Sequence, residues 1–443
     1  TLLVYDLLRR ARGREVALAG AFILLITFQF VWQMRQAQID GVLCFITTLS
    51  LYGLLRHLVL GPAPGWYLAG WAAAGFGVIT KGVGFLPLLA LIPHAILARR
   101  GWPAPARGLP LAGAATLLVA IGVWFLPMMI ASSAGGELLD YRNEILFTQT
   151  VTRYADAWHH HEPPWYYFTS VIPVLWLPLI ALVPWLWPRW RTAVRERDTL
   201  VAVLLAWVVI VLLFFSLSSG KRGVYVLPAV PALAMAAAPW LPELLRARGP
   251  RRLAFVLAIV LTALMAAAAV YFAVDSRAAA RIVDRDLLQP VLPLAIVAIA
   301  GAAAIWLLRE RDGWLAYAAT LAILLATIGF VVYPRIDSDR SGRAFMARVE
   351  EASAGIAELG LVGAKEQYLL QLRRPSTNFG HARWREDAAE AADAAAWLAA
   401  RPGRALLRAA RAERRGQDHV AASAARAVTG ERRGDTRFRA ADS

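Results

Sequence analysis

Long apolar stretches alternate with short polar, Arg-rich segments throughout residues 1–333. A bilayer core about 30 Å thick is crossed by roughly 20 apolar residues in an α-helix. This pattern predicts membrane spans at Glu15–Trp32, Gly41–Leu60, Pro110–Ala131, Trp165–Trp187, Thr199–Ser216, Gly223–Leu241, Leu253–Ala273, Gln289–Leu308 and Trp314–Tyr333. The run Tyr67–Leu97 is too long for one span and is interrupted at Lys81 and Gly82, so we expect two short helices that meet there. The sequence therefore predicts an all-α polytopic membrane protein with about eleven transmembrane helices.

The composition agrees with a membrane protein. Of the 443 residues, 58% are hydrophobic and 18% are charged, against about 25% charged residues in a soluble domain. A formal net charge of +16 is typical of proteins that bind nucleic acid, but long apolar runs are not. We therefore exclude a nucleic-acid partner and interpret the positive charge as a determinant of membrane topology.

The Lys and Arg of residues 1–333 are divided unequally between alternate loops. Of these 27 residues, 18 lie on the side that carries the Arg9–Arg14 cluster, and nine lie on the opposite side. Cytoplasmic loops carry the excess of Lys and Arg in membrane proteins. We therefore predict that the Arg9–Arg14 cluster is cytoplasmic and that the chain after Tyr333 lies outside. The composition favours a bacterial inner membrane, in which the outer side is the periplasm.

The C-terminal part of the chain, residues 334–443, differs from the apolar part in its residue pattern. The segment Gly355–Leu372 is predicted to form a helix followed by a strand, and Asp387–Ala400 is rich in strong helix formers. These elements predict a small α/β domain at residues 334–411, after the membrane domain at residues 1–333. Residues 412–443 are rich in Arg, Ala, Gly and Asp and are predicted to be disordered.

Two of the three Lys of the chain lie at the predicted outer face, where positive charge is scarce. Lys81 interrupts an apolar run, and Lys221 with Arg222 precedes another. One interpretation is that these cations reach the lipid headgroups from the edge of a span. The alternative is an anion site that also includes Arg153, for which a lipid-linked phosphate is the natural ligand.

The carboxylate of Asp40 is the second candidate feature on the outer side. It ends the short outer loop Arg35–Asp40 and begins the second predicted span. A carboxylate at that depth is often functional, whereas Asp is also favoured as the N-cap of a helix. Both interpretations stay open from the sequence.

The long outer loop Ser132–Pro164 holds the densest set of polar residues. Three adjacent His, His159–His161, and Glu162 lead into Tyr166 and Tyr167, which suit the aromatic belt of a membrane interface. A divalent metal stays open, but adjacent side chains point in different directions, and helical ligand pairs are three or four residues apart. Hydrogen bonding to a sugar or a phosphate is the favoured interpretation. The sequence predicts no other cofactor.

Five motifs on the predicted outer face occur in a fixed order: R-Q-A-Q-I-D at Arg35–Asp40, I-T-K-G at Ile79–Gly82, R-Y at Arg153, H-H-E-P-P-W-Y-Y at His160–Tyr167, and F-F-S-L-S-S-G-K-R-G-V-Y-V-L-P at Phe214–Pro228. In this order they resemble the membrane glycosyltransferases of the C-type fold, in the superfamily of protein O-mannosyltransferases and lipid A aminoarabinose transferases. The resemblance covers roughly Thr1–Tyr333. It implies that two further helices and a first outer loop, which carries the principal catalytic carboxylate, precede Thr1.

The resemblance implies an inverting transfer of a sugar from a polyprenyl-phosphate donor to a lipid A, glycan or protein acceptor on the outer side. Asp40 matches an acidic residue of the family's site. Four residues match positions that face the donor phosphate, namely Lys81, Arg153, Lys221 and Tyr225, and we add Arg222 as a neighbour. His160, His161, Glu162, Tyr166 and Tyr167 are predicted to border the sugar or acceptor pocket.

Two other functions stay open from the sequence. A transporter or flippase of lipid-linked sugars would place charged residues at mid-span, and the predicted spans contain none. A relative that binds a lipid phosphate without catalysis would keep the cations but would not transfer sugar.

Overall fold

The computed structural model describes residues 1–133, 139, 142–143, 145–146, 162–218, 220–286, 288–362, 366–379 and 387–408. The chain divides into two compact units. The first unit contains Thr1–Ala266 and Val297–Leu325, and the second contains Ala267–Ile296 and the chain from Ala326 onward.

The first part of the chain is a succession of helices with few long loops. They are α1 (Leu2–Arg12), α2 (Arg14–Leu25), α3 (Phe28–Gln33), α4 (Ile39–Leu58), α5 (Pro64–Thr80), a 3-10 helix (Gly82–Ala90), α6 (Leu91–Arg99) and α7 (Pro110–Ser132). From residue 162 they continue as a π-helical turn (Tyr167–Val171), α8 (Ile172–Leu175), a 3-10 turn (Ile180–Leu182), α9 (Val183–Arg195) and α10 (Thr199–Leu217).

The helical succession continues to the end of the apolar part. Its elements are a 3-10 turn (Gly223–Val226), α11 (Ala229–Ala237), a 3-10 turn (Ala238–Trp240), α12 (Leu241–Arg246), α13 (Arg248–Val274), α14 (Ser276–Asp286), α15 (Val291–Leu308), a 3-10 turn (Glu310–Asp312), α16 (Gly313–Thr327) and a π-helical turn (Ile328–Val332).

The described residues contain seven helical segments that are long and apolar enough to cross a membrane. They are Ile39–Leu58, Gly82–Arg99, Pro110–Ser132, Thr199–Leu217, Arg248–Val274, Val291–Leu308 and Glu310–Asp337. The pair Tyr167–Leu175 and Ile180–Arg195 passes the same test as one span, although its two halves meet at 96°. The polytopic, all-α membrane architecture predicted from the sequence is confirmed.

Three of the predicted spans are made of shorter or bent helices, and α5 is one of the two short helices predicted within Tyr67–Leu97. The predicted span Glu15–Trp32 is α2 and α3 with a break at Ile26 and Thr27, and Gly223–Leu241 is a chain of short helices. The predicted span Trp165–Trp187 is bent, and α5 has 17 residues. The total of about eleven spans stays a prediction.

Helix α10 shows how the sequence forms a span. Asp198 caps its N-terminus by accepting a hydrogen bond from the N–H of Val201, which satisfies one of the backbone donors that a helix start leaves free. The 19 residues that follow carry no charge. The indole of Trp207 is fully buried and donates to the carbonyl of Leu86 at 2.8 Å. This bond ties α10 to the 3-10 helix Gly82–Ala90.

The second unit contains a small parallel sheet. Its remaining elements are α17 (Tyr333–Arg340), α18 (Arg343–Ala352), β1 (Glu358–Val362), α19 (Glu366–Leu369), β2 (Ser376–Asn378), α20 (Asp387–Ala400) and β3 (Arg404–Arg408). The strand order is β2-β1-β3, and both pairings are parallel. Buried side chains of β1 and β3, among them Leu361 and Leu407, pack in one core with Met346 of α18.

The structure confirms one predicted element of this region and corrects another. The helix predicted at Asp387–Ala400 is α20. Within Gly355–Leu372 the predicted order is wrong, because the strand β1 precedes the helix α19. The short apolar run Leu359–Val362 fits a buried strand as well as a helical turn. The domain boundaries at residues 334 and 411 stay predictions, and residues 412–443 lie outside the described residues.

Candidate functional site

The candidate site contains an ion pair between two of the predicted site residues. The Nζ atom of Lys81 lies 2.6 Å from Oδ1 of Asp40. Asp40 is the second residue of α4, and the N-cap position is occupied by Gln38. The alternative in which Asp40 is the N-cap of α4 is therefore wrong. Its carboxylate is bound by Lys81 instead. Its place in the first helical turn also lets the helix dipole favour its negative charge.

Lys81 is held at the break between α5 and the 3-10 helix Gly82–Ala90. Its N–H donates to the carbonyl of Gly77, and its carbonyl accepts from the N–H of Gly84. The two flanking turns come so close that a Cβ atom added to Gly84 would lie 1.9 Å from the carbonyl carbon of Gly77. The prediction of two helices that meet at Lys81 and Gly82 is confirmed.

The ring of Tyr225 lies against the same ammonium group. The Nζ atom of Lys81 is 4.3 Å from the centroid of this ring, and the electron-rich face of an aromatic ring attracts a cation. Tyr225 also packs on Phe215, with their ring centroids 5.6 Å apart. The fold thus brings together Asp40, Lys81 and Tyr225 from three separate segments of the sequence.

Lys221 is a second cation of the site, and it is buried. It belongs to residues 220–225 (G-K-R-G-V-Y), which we call the cationic segment. Lys221 is 4% exposed, and its Nζ atom donates to the carbonyls of Ser218 at 2.5 Å and Glu162 at 2.8 Å. No carboxylate among the described residues lies within ion-pair distance of it. A buried charge without a counter-ion is costly, so this ammonium is suited to an anionic ligand.

The neighbouring predicted residues support the backbone of the cationic segment. Tyr167 is fully buried, and its hydroxyl donates to the carbonyl of Arg222 at 3.4 Å. The ring of Tyr166 packs edge-on against that of Tyr167, with centroids 5.3 Å apart. The side chains of Arg222 and Glu162 are exposed. Glu162 therefore contacts Lys221 through its backbone carbonyl.

Sequence reasoning missed Gln29. Its side chain is 1% exposed. The side-chain amide donates to the carbonyl of Gly223 at 2.7 Å, and its oxygen accepts from the indole of Trp176 at 2.6 Å. The available signal was a polar amide inside the predicted span Glu15–Trp32, where polar residues are expensive.

Three predicted site residues, Arg153, His160 and His161, lie outside the described residues. Within the described ranges, no cluster of three or more His, Cys, Asp or Glu side chains is arranged to hold a metal ion. The metal alternative thus concerns a loop that is only partly described.

The first part of the chain matches a known family. Residues 1–126 match the family model described as dolichyl-phosphate-mannose-protein mannosyltransferase. An undecaprenyl phosphate-α-4-amino-4-deoxy-L-arabinose arabinosyl transferase of Pseudomonas fluorescens is 33% identical over 239 residues, which are 52% of this chain and 41% of that protein. The corresponding transferase of Pseudomonas aeruginosa PAO1 is 33% identical over 242 residues, which are 53% and 42% of the two chains.

A solved structure has the same fold. The crystal structure of ArnT from Cupriavidus metallidurans bound to undecaprenyl phosphate superimposes with a TM-score of 0.65. It is 22% identical and covers 89% of this chain and 71% of that chain. The chain is thus similar in sequence to the aminoarabinose transferases and, over residues 1–126, to the protein mannosyltransferase family. The resemblance and the C-type fold predicted from the five motifs are confirmed. The chain spans about two fifths of the length of the curated relatives it matches.

Proposed function

We propose that this protein is a membrane glycosyltransferase that moves a sugar from a polyprenyl-phosphate donor to a lipid A, glycan or protein acceptor. The observation that carries the proposal is the buried ammonium of Lys221, which has no carboxylate partner among the described residues. A phosphate monoester or diester supplies the missing negative charge. The names of the curated relatives specify sugars linked to undecaprenyl phosphate, which is a donor of this class.

The donor phosphate is bound by cations from two elements. Lys221 and Arg222 come from the cationic segment, and Lys81 comes from the break after α5. Tyr225 contacts Lys81 and so joins the two elements. Arg153 completes this set as predicted from the sequence. The polyprenyl chain stays in the bilayer, which explains a phosphate site at the membrane surface.

The transfer is a single displacement at the anomeric carbon. A bond forms between the acceptor oxygen and this carbon, and the bond from the same carbon to the phosphate oxygen breaks, which inverts the configuration. The polyprenyl phosphate leaves with the electron pair and gains negative charge. Positioned cations stabilise such developing charge most effectively where water is excluded, which is the environment of Lys221.

Asp40 is the auxiliary carboxylate of the site. A carboxylate can take the proton of an acceptor hydroxyl or orient that hydroxyl for attack. Its oxygen Oδ1 contacts Lys81, which leaves its other oxygen available for the acceptor. His160, His161, Glu162, Tyr166 and Tyr167 border the sugar or acceptor pocket in this proposal.

The orientation of the chain follows from its charge distribution. We place the Arg9–Arg14 cluster in the cytoplasm and the α/β domain predicted at residues 334–411 in the periplasm. A membrane-impermeant maleimide tests this in a Cys44→Ala background. Ser376→Cys should label in intact spheroplasts, and Thr192→Cys, on an exposed residue of α9, should label only after lysis. The reverse pattern would overturn the orientation.

Reconstitution tests the transfer itself. Proteoliposomes that contain the protein, undecaprenyl-phosphate aminoarabinose and lipid A should yield modified lipid A, detected by mass spectrometry. The ion pair of Asp40 with Lys81 also fits a second candidate, a protein that binds a lipid phosphate without catalysis. In that case the protein would bind undecaprenyl phosphate but would transfer sugar to no acceptor, whether lipid A, glycan or protein. Movement of the intact donor between leaflets without bond formation would indicate a flippase.

A further inference from the structure

We propose that Gln29 is a positioning residue for the donor phosphate. Its side chain holds the cationic segment in place through a hydrogen bond to the carbonyl of Gly223. The inference rests on the proposed function and extends it to a residue that does not itself contact the donor. Gln29 lies on α3, and the bond to Gly223 joins residues 194 positions apart. Gly223 follows directly after Lys221 and Arg222.

The amide of Gln29 has a defined orientation. Its NH₂ group donates to Gly223, and its oxygen accepts from the Trp176 indole, which is a donor only. Trp176 is 1% exposed and lies at the C-terminal end of α8. Because the indole fixes the amide oxygen, the amide nitrogen is directed at the carbonyl of Gly223. The cationic segment is thus tied to α3 and to the C-terminal end of α8 through one side chain.

The bond from Gln29 belongs to a set of three that hold backbone carbonyls within the cationic segment or just before it. Lys221 donates to Ser218, Tyr167 donates to Arg222, and Gln29 donates to Gly223. Gln29 differs from the other two donors because α3 leads directly into the loop that ends at Asp40. It therefore links the cationic segment to the helix that precedes the loop before Asp40.

A purely packing role does not explain this residue. Apolar side chains of the same size fill a buried helix position without the cost of desolvating an amide. A buried amide with both ends bonded instead specifies one arrangement of the groups that it joins. Here one of those groups is the backbone next to the two proposed phosphate-binding cations.

The test compares Gln29→Met with Trp190→Phe in the full chain. Met has a similar volume but removes both bonds. Trp190→Phe removes a buried indole bond to the carbonyl of Ala236 and serves as a matched loss of one buried hydrogen bond. We expect Gln29→Met to weaken binding of undecaprenyl phosphate about tenfold, which corresponds to one lost anchoring bond. The KM for the donor should rise, while the KM for the acceptor stays unchanged. Trp190→Phe should lower the Tm without changing either constant.

A third variant separates the two bonds of Gln29. Trp176→Phe removes the indole donor but leaves the bond from Gln29 to Gly223, so its affinity for undecaprenyl phosphate should fall less than that of Gln29→Met. It also replaces Gln29→Met as the test variant if the latter does not fold, with an expected rise in the donor KM alone.

Three results would overturn the inference. They are wild-type affinity in Gln29→Met, an equal loss of affinity in Trp190→Phe, and parallel changes in the donor and acceptor constants. If the wild-type protein does not bind undecaprenyl phosphate, both the proposed function and the inference are wrong. If the wild-type protein binds it, the variants test the role of Gln29 alone.

Discussion

Lys81 and Asp40, which are 41 positions apart in the sequence, form an ion pair of 2.6 Å where α4 begins and α5 ends. The pair is partly buried, with side chains 21% and 12% exposed. A phosphate that binds Lys81 therefore competes with Asp40 or shares the ammonium with it. The roles of the two residues are separable by substitution.

Asp40→Asn should reduce sugar transfer about 10²-fold or more, because in the proposed mechanism this carboxylate takes the proton of the acceptor hydroxyl or orients that hydroxyl. Binding of undecaprenyl phosphate should be retained, since Lys81 keeps its charge. Initial rates and Kd measured on the same preparation check both statements. Asp6→Asn is the matched control, because it also removes a carboxylate from an ion pair, that with Arg10. If donor binding falls with the rate in Asp40→Asn, Asp40 acts only by holding Lys81.

Lys221→Met should abolish the stabilisation that the donor phosphate gives to the protein. A ligand that binds only the folded state raises the Tm, and a buried charge pair that loses one partner costs about 2–5 kcal/mol of binding energy. Undecaprenyl phosphate should therefore raise the Tm of the wild type but not that of Lys221→Met. The same substitution at Lys365 is the control, because it also removes one Lys charge. An undiminished shift in Lys221→Met would contradict the phosphate assignment.

Gly84→Ala should destabilise the protein by about 1–3 kcal/mol, the usual range for overpacking. The reason is that the new methyl group meets the backbone of Gly77, at 1.9 Å before any relaxation. It should also displace Lys81 and lower transfer. Gly82→Ala, two residues away, has open space at its Cβ position and should leave both the Tm and the transfer rate near wild type. Equal effects of the two variants would argue against the close turn.

The ion pair of Glu350 with Arg374 should make the second unit sensitive to acid. Partial burial by itself raises the pKa of Glu350, but hydrogen bonds from Arg374 and from the N–H of Arg373 outweigh it and hold the pKa below the ordinary value of 4.5. The unfolded carboxyl binds its proton at higher pH than the folded one. The stabilisation is therefore complete above about pH 4.5 and is lost as the pH falls through the folded-state pKa.

Thermal unfolding between pH 7 and pH 3 checks this dependence. Glu350→Gln should lower the Tm at pH 7 and flatten its decrease in acid, whereas Glu351→Gln, at the exposed neighbouring position, should follow the wild-type curve. If the Tm of Glu350→Gln falls in acid as steeply as that of the wild type, other groups cause the acid sensitivity.

The sequence predicts those parts of the fold that depend on local patterns. The length of an apolar run and the charge of Lys81 within it predict a helix break, and the structure has the break at that position. The helix formers of Asp387–Ala400 likewise predict α20. Strand and helix are harder to distinguish in Leu359–Val362, because a short apolar run fits both.

The geometry of the site depends on contacts that local patterns do not encode. Nothing in the spacing of Asp40 and Lys81 indicates that their side chains meet, because the contact follows from the packing of α4 on α5 and the 3-10 helix. The motifs predict that Lys221 and Tyr225 matter, but they do not show that Tyr225 contacts Lys81. Gln29 could have been noticed as a buried amide, but its partners at Trp176 and Gly223 required the fold.

The 96° bend between the halves Tyr167–Leu175 and Ile180–Arg195 has a consequence for biogenesis. The nine residues of the first half extend about 14 Å as a helix, which is less than half of the bilayer core. This half therefore cannot enter the membrane as an independent span. At the bend that follows it, the carbonyl of Leu177 accepts a hydrogen bond from the N–H of Phe28, and the indole of Trp176 donates to Gln29. Both partners are synthesised about 150 residues earlier, so insertion of the bent segment waits for an N-terminal helix already in place to receive it.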